Sequence, residues 1–101
     1  MAYKKVILKS AQAEYRDIVS YLVEVLKSPQ AAIHFMNEFD YQLDLIVETP
    51  EMFSLSRMPE LAARGYRAAH VNNYLMLYKI QDQNVVVAHI FHQSQDYARL
   101  V

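Results

Sequence analysis

Ser28-Pro29 is the feature that most restricts what this chain can become. Proline at the first position of a helix loses nothing, because its missing amide would have had no intrahelical partner there, and a preceding serine supplies the cap. The dipeptide therefore ends one helix and begins another with almost no loop between them. Before it, Tyr15, Ile18, Val19, Leu22 and Leu26 recur at the three-and-four spacing of one helical face. After it, Ala32, Met36, Phe39, Leu43 and Ile46 do the same, and Pro50 lies just past the end. Two amphipathic helices joined so closely fold back as an antiparallel hairpin, whose joint apolar face must cover something.

What it covers is written in the remaining segments. Tyr3 to Leu8 reads as a first strand, and Ser10 is placed to cap the helix that follows. Residues 50–63 form a poorly regular connection, with Met52, Phe53, Leu55 and Met58 apolar enough to pack, and with Pro59 and Leu61 marking a short turn. The last third reads as a three-stranded antiparallel meander with a short polar-aromatic tail. Asn72-Asn73 suits a two-residue hairpin turn, since asparagine tolerates positive φ. That turn pairs Val71 with Tyr74, Ala69 with Met76 and Arg67 with Tyr78. A second turn at Asp82-Gln83 places Tyr78 opposite Val87, Met76 opposite His89 and Tyr74 opposite Phe91. One face then carries Arg67, Tyr74, Met76, Tyr78, His89 and Phe91. The other carries Ala68, Leu75, Leu77, Val86, Ala88 and Ile90, and its smoother aliphatic character predicts that it lies under the helices. The first face is then the open candidate site; a bulge or longer turn at Gln81 to Asn84 would exchange His89 for His92 on it.

A length of 101 residues with 53% hydrophobic and 21% charged side chains fits one α+β domain over residues 1–101, in the order βααβββ, with the helix hairpin on one face of the sheet. Cysteine is absent, which excludes disulfides and thiolate metal sites. The N-terminal apolar run is too short for a signal peptide and no stretch reaches transmembrane length, so a cytoplasmic protein without membrane contact is expected. The net charge of −1 is unevenly placed: residues 1–50 hold five basic and seven acidic side chains, whereas Arg57, Arg64, Arg67 and Lys79 between positions 57 and 79 face only Glu60. His34 sits beside the apolar stripe of the second helix and reads as an ordinary helix residue. His89 and His92 fall on opposite faces of a strand, a poor arrangement for two metal ligands. Arg67, a cation in mid-sheet, calls for an anionic partner or solvent, with Asp96 or Glu51 as structural candidates.

The element order, together with Gly65-Tyr66-Arg67, the run Asn73-Tyr74-Leu75-Met76-Leu77-Tyr78 and the closing Phe91-His92-Gln93-Ser94-Gln95-Asp96-Tyr97, resembles the RelE/ParE superfamily of toxins from type II toxin-antitoxin systems. The resemblance implies a toxin neutralised by a cognate antitoxin in a hetero-oligomer, with no cofactor and no metal. It implies ribosome-dependent, metal-independent cleavage of mRNA as the first expectation, since the histidine at the end of the last strand tips the balance that way, with poisoning of DNA gyrase as the alternative. A catalytically attenuated, antitoxin-binding partner is a third outcome. For mRNA cleavage, which requires a base, a charge-stabilising cation and an acid, the resemblance puts Arg67, or nearby His70, at the phosphate. It makes His92 the acid or base and Tyr97 a stacking or proton-donating group. Arg64, His70, Tyr74, Tyr78 and His89 would then contact the substrate.

Overall fold

The computed structural model describes residues 3–95 and residue 101. Its elements are β1 (Lys4–Ile7), α1 (Lys9–Ser20), a π-helical turn (Tyr21–Val25), α2 (Pro29–Glu48), the short α3 (Pro59–Ala63), β2 (Arg67–Val71), β3 (Tyr74–Gln81) and β4 (Asn84–His92). The strands form one sheet in the order β1-β4-β3-β2. The meander is antiparallel and β1 joins it parallel to β4, pairing Lys4 with Asn84 through Ile7 with Val87. The α+β class and the helix hairpin on one face of the sheet are as the sequence predicts.

At the hairpin, the Ser28 hydroxyl accepts from the Ala31 amide at 3.2 Å and Pro29 opens α2. The first helix departs from expectation at both ends. Ser10 does not cap it: the helix begins at Lys9, and the Ser10 hydroxyl donates instead to the Ala88 carbonyl at 2.7 Å. At the other end the backbone widens into the π turn, with the Leu26 amide bonded to the Tyr21 carbonyl, and closes through a left-handed Lys27 (φ 54°). The extra residue rotates the apolar stripe, so Leu26 is exposed rather than in the core.

Both meander turns are where the sequence puts them, with Asn72 and Asp82 at φ 56°. The β2–β3 register is also as read, Arg67 facing Tyr78 and Val71 facing Tyr74. On β4 the register shifts. Tyr78 faces Val87 and Leu77 faces His89, leaving Ala88 as the extra residue of a bulge. Beyond it Met76 faces Ile90 and Tyr74 faces His92, so the expected pairs Met76–His89 and Tyr74–Phe91 do not form. The parity change that a bulge at the Gln81–Asn84 turn would produce does occur, but at Ala88.

The assignment of faces is reversed. Ala69, Val71, Met76, Tyr78, Val87 and Ile90 pack beneath the helices with Phe35, Phe39, Leu43 and Ile46. Leu75, Leu77, Ala88 and Phe91 point away from them and are covered by Leu61 of α3 and Tyr66. Aliphatic smoothness fails as a guide because both faces are covered by apolar groups. Tyr78 decides the matter: its ring is fully buried, and its hydroxyl donates to the carbonyl of Pro50 just past α2 at 2.7 Å. Of the connecting residues expected to pack, Phe53 and Met58 are partly buried while Met52 and Leu55 are exposed.

The bulge is held by α1, which lies along the edge of β4 beyond the end of β1. Leu8 donates its amide to the Val87 carbonyl, Ser10 its hydroxyl to the Ala88 carbonyl, and the Glu14 carboxylate accepts the Ile90 amide at 2.9 Å. The second Glu14 oxygen lies 3.1 Å from Nδ1 of His89. Side chains one helical turn apart thus complete hydrogen bonds that a neighbouring strand would otherwise supply. Glu14→Ala should cost about 2 kcal/mol, the range for a hydrogen bond to a charged group, and speed hydrogen exchange at the Ile90 amide. Urea unfolding with amide exchange checks this; unchanged exchange at Ile90 would contradict it.

Candidate functional site

The sheet separates the residues singled out in the sequence. Arg67 begins β2 and His92 ends β4; both lie on the helix-facing side, but in rows four residues apart and two strands across. Strand geometry puts their backbones roughly 16 Å apart. The Arg67 guanidinium is half-buried and donates from Nη1 to the Phe53 carbonyl at 2.6 Å. Its structural partner is therefore a backbone carbonyl of the connection, rather than Glu51; Asp96, the other candidate, and Tyr97 lie outside the described residues. Tyr78 is buried directly opposite Arg67. Burial pushes its phenol up to about 12, against smaller lowering effects from the Arg67 charge and the Phe53 backbone. Arg67 and Tyr78 thus secure the connection to the sheet.

At the other end, a groove of about 600 Å³ opens between the helix hairpin and the β2–β3 turn. Tyr21, Ser28, His34 and Phe35 line it from the helices, Asn72 and Asn73 from the turn, and Tyr74 and His92 from the sheet. The rings form a continuous series, edge-to-face except at the tilted Phe35–Phe39 contact. Tyr15 meets Phe39 at 4.9 Å, Phe35 meets Tyr74 at 5.2 Å and Tyr74 meets His92 at 5.3 Å, with Phe35 and Phe39 neighbours at 6.3 Å. Burial, with Tyr21 next, holds the Tyr74 phenol above the ordinary tyrosine range. His92 is oriented by its own turn: Nδ1 lies 2.7 Å from the Ser94 hydroxyl and accepts the Ser94 amide at 3.2 Å. In the neutral ring that assigns the proton to Nε2.

The other expected substrate contacts lie on the opposite face of the sheet. His89 stacks on Phe91 with centroids 5.0 Å apart and pairs with Glu14. His70 is exposed beside Arg57, Leu55 and Gln93 in a second concavity of about 460 Å³. Arg64 is exposed and lies over the Tyr66 ring. Among the described residues no cluster of three or more His, Cys, Asp or Glu is arranged to hold a metal ion. No described helix is long and apolar enough to cross a membrane.

Of the groove residues the sequence singles out Tyr74 and His92 as chemistry-bearing, without placing them together, and misses Tyr21, Phe35 and the Asn72-Asn73 turn as walls. The helical spacing of Phe35 with Ala32 and Phe39 is the available signal. The π turn that brings Tyr21 to the rim leaves none.

A small α+β domain of order βααβββ, with a helix hairpin over a meander, is the architecture of the RelE/ParE toxins. The chain belongs to the ParE toxin family of type II toxin-antitoxin systems, whose family model matches residues 6–97. Among solved structures it is similar to the chromosomal ParDE toxin-antitoxin system of P. aeruginosa, with TM-score 0.72 and 15% identity over 90% of this chain and 96% of that one. It is also similar to the RelBE2 toxin-antitoxin complex of Mycobacterium tuberculosis, with TM-score 0.63 and 18% identity over 91% and 99% of the two chains. A mutant of E. coli toxin RelE in the free state aligns with TM-score 0.62 and 21% identity, covering 99% of this chain and 93% of that one. A comparison with curated proteins gave no significant match. At these identities the structural likenesses bear on the fold alone.

Proposed function

We propose that this toxin acts by binding and blocking its target in the manner of the gyrase-directed ParE-like toxins, and that it does not cut mRNA. One observation carries the choice. Metal-free cleavage needs an acid, a base and a cation around a single phosphate, within hydrogen-bond reach of the reacting atoms. Here Arg67 is bonded to the Phe53 carbonyl, roughly 16 Å by strand geometry from the His92 end of the sheet. With its guanidinium held at the Phe53 carbonyl, Arg67 is directed away from His92, which supports binding over cleavage as the mode of action. A gyrase target would place the protein in the cytoplasm.

A cognate antitoxin fits the surface beside the groove. Val25 (65% exposed) and Leu26 (52%) at the end of the π turn and Ile33 (51%) in the first turns of α2 are exposed apolar side chains suited to an apolar segment of a partner. Two of the similar structures, from P. aeruginosa and M. tuberculosis, are toxin-antitoxin systems, which supports the same pairing.

The nuclease reading retains one supporting feature, His92 with its Nε2 proton assigned by the Ser94 contacts, beside Tyr74 in an open groove. The two readings separate in cells expressing the chain without antitoxin. Binding predicts induction of the DNA-damage response, intact message, and growth arrest that survives His92→Ala within a few-fold. Loss of arrest in His92→Ala, at the roughly 10²- to 10⁴-fold scale of a missing acid-base catalyst, would overturn it.

A further inference from the structure

The basic excess between positions 57 and 79 is only partly explained by the fold. Arg67 is engaged inside, whereas Arg64 and Lys79 emerge on the sheet face away from the helices. Both converge on one ring: Lys79 Nζ lies 4.4 Å and Arg64 Cζ 5.3 Å from the centroid of Tyr66. Neither forms an ion pair with another described residue; the ion pairs among those residues are Lys5–Asp44 and His89–Glu14. Glu60, one turn before Arg64, makes none with it. Two cations gathered around one ring without a carboxylate partner among the described residues offer an external anion two donors at one place.

The wider surface is basic in excess, against Glu60 on α3. Arg57 lies on this face near the β2–β3 turn beside His70, and the alternation from Leu75 to Lys79 puts it roughly 13 Å from the first pair along the sheet. Lys4 adds a cation at the β1 edge, against Asp82 in the neighbouring turn. The helical layer is opposite in sign, since positions 9–48 hold three basic and seven acidic side chains. A molecule of net charge −1 with this polarity meets a polyanion in one orientation, sheet first.

From this polarity we infer that the outer sheet face, centred on Arg64, Tyr66 and Lys79, docks on the phosphate backbone of duplex DNA. The inference extends the gyrase reading, since that target works on bound DNA. Single strands are disfavoured because they are gripped by exposed aromatic platforms, and the rings here are covered: Tyr66 is 7% and Phe91 5% exposed. Contacts made only to phosphates carry no base sequence, so binding is sequence-independent and salt-sensitive.

The test is fluorescence anisotropy of a labelled duplex of about 20 base pairs titrated with the purified chain, without gyrase, so that its failure and the failure of the gyrase reading are told apart. Binding should weaken with salt along a log–log slope of about −3, for three to four phosphate contacts. Arg64→Gln with Lys79→Gln should weaken binding at least tenfold and flatten the slope by about 2, while Arg16→Gln on the helical layer should change nothing. Circular dichroism confirms that the variants are folded, and each single glutamine variant should show an intermediate loss. Absence of duplex binding by the folded chain at about 50 mM salt, or unchanged binding by the folded double variant, would overturn the inference. Tighter binding to single strands or to duplex RNA would overturn the assignment to DNA.

Discussion

Phe35→Ala is expected to lower the unfolding free energy by about 3–5 kcal/mol, the range for truncating a buried phenylalanine, and to disturb the groove in the same step. Phe35 is 1% exposed and lies in the middle of the ring series, against Tyr15 and Phe39 on the helices and Tyr74 on the sheet. Removing its ring leaves a cavity that Tyr74 can tilt into, and His92 packs edge-on against Tyr74. Stability and groove geometry are therefore coupled through one side chain. Phe35→Leu, which keeps most of the volume, should cost less than half as much. Urea unfolding measures both; a loss below about 1 kcal/mol for Phe35→Ala would mean that the series does not hold the hairpin to the sheet.

The second large effect is alkaline. The Tyr78 phenol is raised to about 12 in the folded chain, against 10.0 for an ordinary tyrosine, chiefly by burial. A raised folded-state value means that the unfolded chain loses its proton first. The contribution of Tyr78 is therefore fully present below pH 10 and is lost as pH rises from 10 to about 12, by up to roughly 3 kcal/mol at about 1.36 kcal/mol per pH unit. Tyr78→Phe removes this dependence, and it also leaves the Pro50 carbonyl without its hydroxyl donor, costing about 1–2 kcal/mol at neutral pH. The diagnostic quantity is the difference between the two stability curves, because Tyr15 and Tyr74 are also raised by burial and remain in both proteins. Parallel curves for the parent and the Tyr78→Phe protein between about pH 9 and 11.5 would contradict the account.

The contrast between what the residues disclose and what they conceal has a local explanation. Ser28-Pro29, Asn72-Asn73 and Asp82 declare themselves because each satisfies a backbone requirement with its own chemistry: a hydroxyl cap, a fixed φ, a tolerated left-handed conformation. The bulge at Ala88 has no such mark. It is held from 78 positions away by the Ser10 hydroxyl, which by sequence alone reads as a helix cap. That single inserted residue moves His92 to the groove face and His89 to the outer one. The face reversal has a similar origin. Both sides of the sheet are apolar because α3 and Tyr66 cover the second, so alternation alone contains no preference. As for the candidate site, Tyr74 and His92 are legible as chemistry-bearing residues, but Arg67 is legible only as a cation in mid-sheet. Its engagement with the Phe53 carbonyl belongs to the fold of an irregular connection.

The central claim is that the chain blocks its target by binding, and purified DNA gyrase tests it most directly. Supercoiling of relaxed plasmid by gyrase, titrated with antitoxin-free protein, should fall while cleaved DNA accumulates, and the His92→Ala protein should act within a few-fold of the parent. Gyrase unaffected by stably folded protein, with new 5′ ends inside A-site codons of a translated message that disappear on His92→Ala substitution, would contradict the claim and restore the nuclease.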